Sequence, residues 1–135
     1  MRCTGREGKG CASAGRENAA SAGGSVTISN DVNAAFENVD VVYAKSWGSK
    51  KFYGAPERDI AEREQYRGKW IVDEEKMART NEAIFMHCLP VRRNVIVTDG
   101  VIDSPSSVVV DEAENRLHVQ KAILAQLLEE ENSHR

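Results

Sequence analysis

Two short runs of apolar side chains, Asp40-Val-Val-Tyr-Ala44 and Ala83-Ile-Phe-Met86, do most to limit the folds open to this chain. Neither alternates with polar residues, and each has the length of a strand rather than a helix. A strand that is apolar on both sides needs cover on both sides, and open parallel sheets flanked by helices supply it. Helical patterns lie before, between and after the two runs. The order is therefore α/β, an open, mostly parallel sheet with flanking helices.

The remaining segments fit that reading. Ser25-Val-Thr-Ile-Ser29 reads as a short strand, and Asn30 or Asp31 can cap a helix through Val32, Ala35 and Phe36. Glu57 to Arg67 is heavily charged, with Ile60, Ala61 and Tyr66 interspersed, and predicts a solvated surface helix. Asp73 can cap a helix through Glu74, Glu75, Lys76 and Met77, with Asn81 ending it. Val95 to Asp103 carries little signal, and Val108-Val-Val110 predicts a short strand or extended segment. Asp111 to Glu130 predicts a long helix with Ala113, Leu117, Leu124, Leu127 and Leu128 along one side, a stripe that wants a partner surface.

Composition narrows the class of partner. At 135 residues there is room for one domain, and 41% hydrophobic with 29% charged residues is ordinary for a globular protein. A net charge of −3 argues against nucleic acid, which needs clustered Lys and Arg in excess. No run of eighteen apolar residues suggests a membrane span, and the start lacks the apolar core of a secretory signal, so the expected location is the cytoplasm. Cys3, Cys11 and Cys88 cannot all pair and include no C-x-x-C; with three His and no H-E-x-x-H, no metal is expected. Residues 1–24 hold six of the ten glycines and hardly any large apolar side chain, which predicts a loose segment ahead of a domain at 25–135. Such a change of character is what a truncated gene, a misplaced start or a shifted frame would leave.

Open α/β sheets place ligand sites at the C-terminal ends of their strands. The first run leads into Lys45-Ser-Trp-Gly48 and the second into His87-Cys-Leu-Pro90, followed by Arg92, Arg93 and Asn94, so two loops of site character lie side by side. Taken singly these residues are unremarkable. Cys88 would more often be a small buried apolar residue, Lys45 a solvated strand end, Arg116 a surface charge and His87 a hydrogen-bonded structural group.

The run Phe85-Met-His-Cys-Leu-Pro-Val-Arg-Arg-Asn94, with Val41-Val-Tyr-Ala-Lys-Ser-Trp-Gly48 and Glu112-Ala-Glu-Asn-Arg116, resembles the ornithine-type carbamoyltransferase family, in particular its N-acetylornithine and N-succinylornithine branch. The resemblance spans the chain from about Ser25 and covers only the C-terminal, amino-acid-binding half of that family. It implies transfer of a carbamoyl group from carbamoyl phosphate to the side-chain amine of an acylated ornithine, in arginine biosynthesis, by a homotrimer and without organic cofactor. It implies that the loop at Cys88 and Leu89 contacts the reacting carbamoyl group and amine, that Arg116 binds carbamoyl phosphate, and that Lys45, Leu89 and Arg92 bind the amino-acid substrate. Arg93 could equally form a structural salt bridge. Such chemistry suits positive groups and backbone dipoles rather than covalent catalysis.

Two departures from the family pattern stand out. The Ser-x-Arg-Thr and His-Pro-x-Gln segments that grip carbamoyl phosphate are absent from the sequence. Ile96 also stands where acetylornithine-specific members resembling this chain carry a lysine, which leans towards N-succinylornithine. The competing expectation is a catalytically inactive amino-acid-binding remnant. A dinucleotide-binding oxidoreductase is set aside, because Gly5, Gly8 and Gly10 have the wrong spacing and no preceding strand.

Overall fold

The computed structural model describes residues 2–3, 9–47 and 50–133. Its centre is a parallel pair, β3 (Val41–Ala44) and β4 (Ile84–His87), in the register Val41 to Ile84 through Ala44 to His87. Ahead of it, β1 (Arg2–Cys3) pairs in parallel with β2 (Thr27–Ile28), and α1 (Lys9–Ser21) lies between these two strands in the chain. Residues 1–24 were expected to be loose. Helix α1 departs from that: Ala12, Ala14, Ala19 and Ala20 favour helix, and Gly23 at φ +72° follows its end in the left-handed turn that glycine adopts without penalty.

Local chemistry sets the short helices. Asp31 caps α2 (Val32–Phe36) by accepting from the Ala34 N–H at 3.1 Å, and Asp73 caps α4 (Glu74–Met77) by accepting from the Lys76 N–H at 2.9 Å. Helix α3 (Pro56–Glu64) opens with proline, whose missing N–H costs nothing in a first turn. The segment with little sequence signal forms α5 (Asp99–Ile102), capped by Thr98. It also lies parallel to Val72: the Val72 N–H donates to Ile96 O at 2.8 Å and the Thr98 N–H to Val72 O at 3.0 Å.

The core lies on one face of β3 and β4. Val42, Ala44, Phe85 and His87 point into it and meet Phe36, Ile96, Val97, Val101 and Ile102. Burying a side chain the size of Phe85, 0% exposed, stabilises by about 2–3 kcal/mol. The opposite face is open, with Val41 51% and Tyr43 50% exposed, which corrects the expectation that both strands are covered on both sides. The apolar run is continuous, yet only one of its faces is buried. Val108–Val110 corrects the second strand expectation. The extended stretch stops at Val108, whose N–H donates to Phe85 O at 3.0 Å, and α6 (Val109–Ser133) starts immediately after it. Val109 is buried at the foot of α6 against the core, and tertiary packing there overrides its preference for strand.

Candidate functional site

Because β3 and β4 are parallel and Ala44 is paired with His87, Lys45 and Cys88 leave the sheet together. The Lys45 ammonium donates to the Cys88 sulfur at 3.3 Å. On the same side, the Tyr43 hydroxyl donates to Glu112 Oε1 at 2.8 Å, and Arg116 Nη2 donates to the Cys88 carbonyl oxygen at 2.8 Å. Glu112 and Arg116 are four residues apart and so share a face of α6. Two strands in register and one helical turn thus gather four polar side chains around one loop.

The electrostatics follow from these contacts. The Lys45 ammonium beside it holds the Cys88 thiol below its ordinary range, with Tyr43 and Arg116 adding to the effect against the opposing cost of burial. The hydrogen bond to Glu112 pushes the Tyr43 hydroxyl up to about 12. His87 is 1% exposed, and burial lowers its pKa. Its Nδ1 accepts the Leu89 N–H at 3.0 Å, which puts the neutral ring's proton on Nε2, a buried atom with no hydrogen-bond partner. Leu89 itself has φ +38°, a left-handed backbone that a branched side chain adopts only when its surroundings impose it, and the Leu89–Pro90 bond is cis.

Lys45, Cys88, Leu89 and Arg116 are therefore brought together, while Arg92 stands slightly apart with Nη2 3.4 Å from the Trp47 carbonyl oxygen. Arg93 is structural: it pairs with Asp99 at 2.8 Å and Asp103 at 2.6 Å, tying the loop to α5. Ile96, expected to speak to the acyl group, is 1% exposed and belongs to the core. Sequence reasoning assigned no role to Tyr43 or Glu112. The signals were available: Tyr43 shares Lys45's side of the strand, two residues back, and Glu112 lies one turn before Arg116. Among the described residues no group of three or more His, Cys, Asp or Glu side chains could hold a metal ion, and no helix is long and apolar enough to cross a membrane.

A lysine and an arginine converging on a strand-end loop suit an anion and a carbonyl rather than a metal or a nucleotide base. Fold and site together define an α/β domain with a cationic cluster, suited to an anion, at the C-terminal ends of its parallel strands. Residues 6–127 match the aspartate/ornithine carbamoyltransferase family, Asp/Orn binding domain, and the chain belongs to that family. The family match begins at residue 6, ahead of the Ser25 at which the resemblance read from the sequence starts.

The N-acetylornithine carbamoyltransferase of Xanthomonas campestris pv. campestris is 55% identical over 112 residues, covering 83% of this chain and 33% of that protein. The N-succinylornithine carbamoyltransferase of Bacteroides thetaiotaomicron is 43% identical over 106 residues, covering 78% of this chain and 32% of that protein. A mutant N-acetyl-L-ornithine transcarbamylase complexed with carbamyl phosphate and N-succinyl-L-norvaline superposes with a TM-score of 0.81 at 48% identity, covering 94% of this chain and 39% of that one. The chain spans about a third of the length of the curated relatives it matches.

Proposed function

We propose that the chain supplies the amino-acid-binding part of an N-acylornithine carbamoyltransferase, with the domain at residues 25–135. The side-chain amine of the acylated ornithine attacks the carbonyl carbon of carbamoyl phosphate. A C–N bond forms, the C–O bond to phosphate breaks, and the proton that the amine gives up leaves on the departing phosphate. Arg116 holds the phosphate through its planar fork. The backbone carbonyls of Cys88 and Leu89 accept from the carbamoyl N–H groups and the amine, while Lys45 and Arg92 take the substrate's carboxylate and acyl oxygen. Cys88 acts through its backbone, so no covalent intermediate is needed. The whole enzyme works as a homotrimer in the cytoplasm, in arginine biosynthesis.

The observation that supports this reading best is the convergence of Lys45 and Arg116 on Cys88, at 3.3 Å and 2.8 Å. The test joins this chain behind the carbamoyl-phosphate-binding half of the Xanthomonas campestris relative and supplies carbamoyl phosphate with N-acetylornithine or N-succinylornithine. Release of phosphate together with the matching citrulline derivative is the expected result. A folded chimera that forms neither derivative overturns catalysis and leaves an amino-acid-binding domain.

A further inference from the structure

Between α3 and the loops that follow β3 and β4 lies a cavity of about 150 Å³. It is lined by three guanidinium groups, Arg63, Arg67 and Arg92, by one carboxylate, Glu64, and by the apolar surfaces of Trp47 and Val95. Two of these residues come from the loops that carry the site: Trp47 follows Lys45 by two positions and Arg92 follows Cys88 by four. The aromatic wall is braced from behind, since the Trp47 ring packs edge-on against Tyr66 at 6.4 Å and Trp70 at 6.0 Å between centroids.

The charges of the cavity do not balance. Glu64 pairs with Arg67 at 3.3 Å, and Arg63 pairs with Asp59 one helical turn back on α3. Arg92 has no carboxylate partner among the described residues, and its 3.4 Å approach to the Trp47 carbonyl is a weak hydrogen bond. Arg63 meanwhile carries a buried Nε–H with no acceptor. The cavity thus offers one uncompensated positive charge, and two of its lining residues, Arg63 and Trp47, carry buried N–H groups with no acceptor. A carboxylate has two oxygens and one negative charge, so it can balance Arg92 and at the same time reach the Arg63 guanidinium lining the same cavity.

We propose that Arg63 is a specificity-determining substrate contact, which with Arg92 clasps the α-carboxylate of the acylated ornithine while Trp47 and Val95 face the apolar part of the acyl group. The inference rests on the amino-acid-binding reading given above and adds a residue to it. Size supports the assignment: the cavity is smaller than the roughly 300 Å³ at which pockets enclosing a whole small ligand begin, so it takes one end of a substrate. The other end then extends towards Cys88. Asp59, 8% exposed, holds the Arg63 guanidinium in one orientation before any ligand arrives, so the site is preorganised.

The experiment is calorimetric titration of the chain with N-acetylornithine and with N-acetyl-1,4-diaminobutane, which lacks only the carboxylate. Two variants are compared with the parent: Arg63→Lys, which keeps the charge for Asp59, and the double variant Asp59→Asn with Arg63→Gln, which leaves no buried ion unpaired. Expected are a parent that prefers N-acetylornithine, and variants that bind it about tenfold or more weakly while binding the decarboxylated ligand unchanged. Variants that bind both ligands as the parent does overturn the role of Arg63 and leave the amino-acid-binding reading standing. Variants that weaken both ligands equally make Arg63 a structural residue and overturn its role too. A parent that binds neither ligand overturns both readings.

Discussion

Arg116 on the second turn of α6 donates to the carbonyl oxygen of Cys88 at the end of β4, across 28 positions of sequence. One turn earlier, Glu112 accepts from Tyr43 on the neighbouring strand. These two latches fix the start of α6 over the open ends of the sheet. Replacing Arg116 with Met removes the first latch and the guanidinium together. The expected loss of stability is small, about 1 kcal/mol, because the bond is exposed to water. In the chimera that carries the carbamoyl-phosphate-binding half, the expected loss of affinity for carbamoyl phosphate is about tenfold or more. Urea unfolding measures the first and a titration followed by amide chemical shifts the second. Unchanged carbamoyl phosphate affinity would remove Arg116 from the site.

The Cys88 thiolate is favoured chiefly by the Lys45 ammonium. Alkylation of Cys88 by iodoacetamide should therefore rise with pH about a midpoint below the ordinary thiol value of about 8.5. In Lys45→Met the midpoint should move up. Peptide mass spectrometry reads Cys88 separately from Cys3 and Cys11. Equal midpoints in parent and variant would mean that Lys45 and Cys88 do not meet in solution.

His87 gives the chain a pH dependence. Burial lowers its pKa in the folded state, whereas in the unfolded chain it titrates near 6.5. The unfolded state therefore takes up the proton first as pH falls. The stabilisation from a neutral ring is complete above about 6.5 and is lost as pH drops through the lower folded value. Glu112 opposes the shift and Lys45 adds to it, so both must be intact in the measurement. Unfolding free energies between pH 8 and pH 5 should slope downward in the parent and less steeply in His87→Gln. Identical slopes would show that His87 is not the group responsible.

The sequence carried much of this arrangement, for identifiable reasons. Both strand runs and the caps at Asp31 and Asp73 were legible because apolar length and a capping oxygen are local signals. Lys45, Cys88 and Arg116 were legible through motif resemblance, and the register of β3 and β4 then explains why the first two touch. The one-sided burial of those strands was not legible, because cover depends on what else packs there and Val41 looks the same either way. Nor was Arg63: on a helix of alternating charges it has no local mark, and only the fold sets it opposite Arg92. Helix α5 escaped notice because four residues leave no periodicity to read.

The apolar stripe of α6 leads to the last prediction. Leu117, Leu124 and Leu128 lie at helical spacings of seven and four and are 57%, 60% and 61% exposed, with Ile123 and Leu127 beside them. Soluble monomers seldom leave so long a row of leucines in water. The chain should therefore bind an apolar dye such as anilinonaphthalene sulfonate in its folded state and sediment faster than a monomer as concentration rises. Changing all three leucines to Gln should suppress both effects. Because these side chains contribute little burial within the chain, the thermal midpoint should barely move; exposed helix positions of this kind shift stability by only about 0.5 kcal/mol. A large fall in the midpoint would mean that the stripe packs against the rest of the domain in solution, and that the long helix does not stand clear of the sheet.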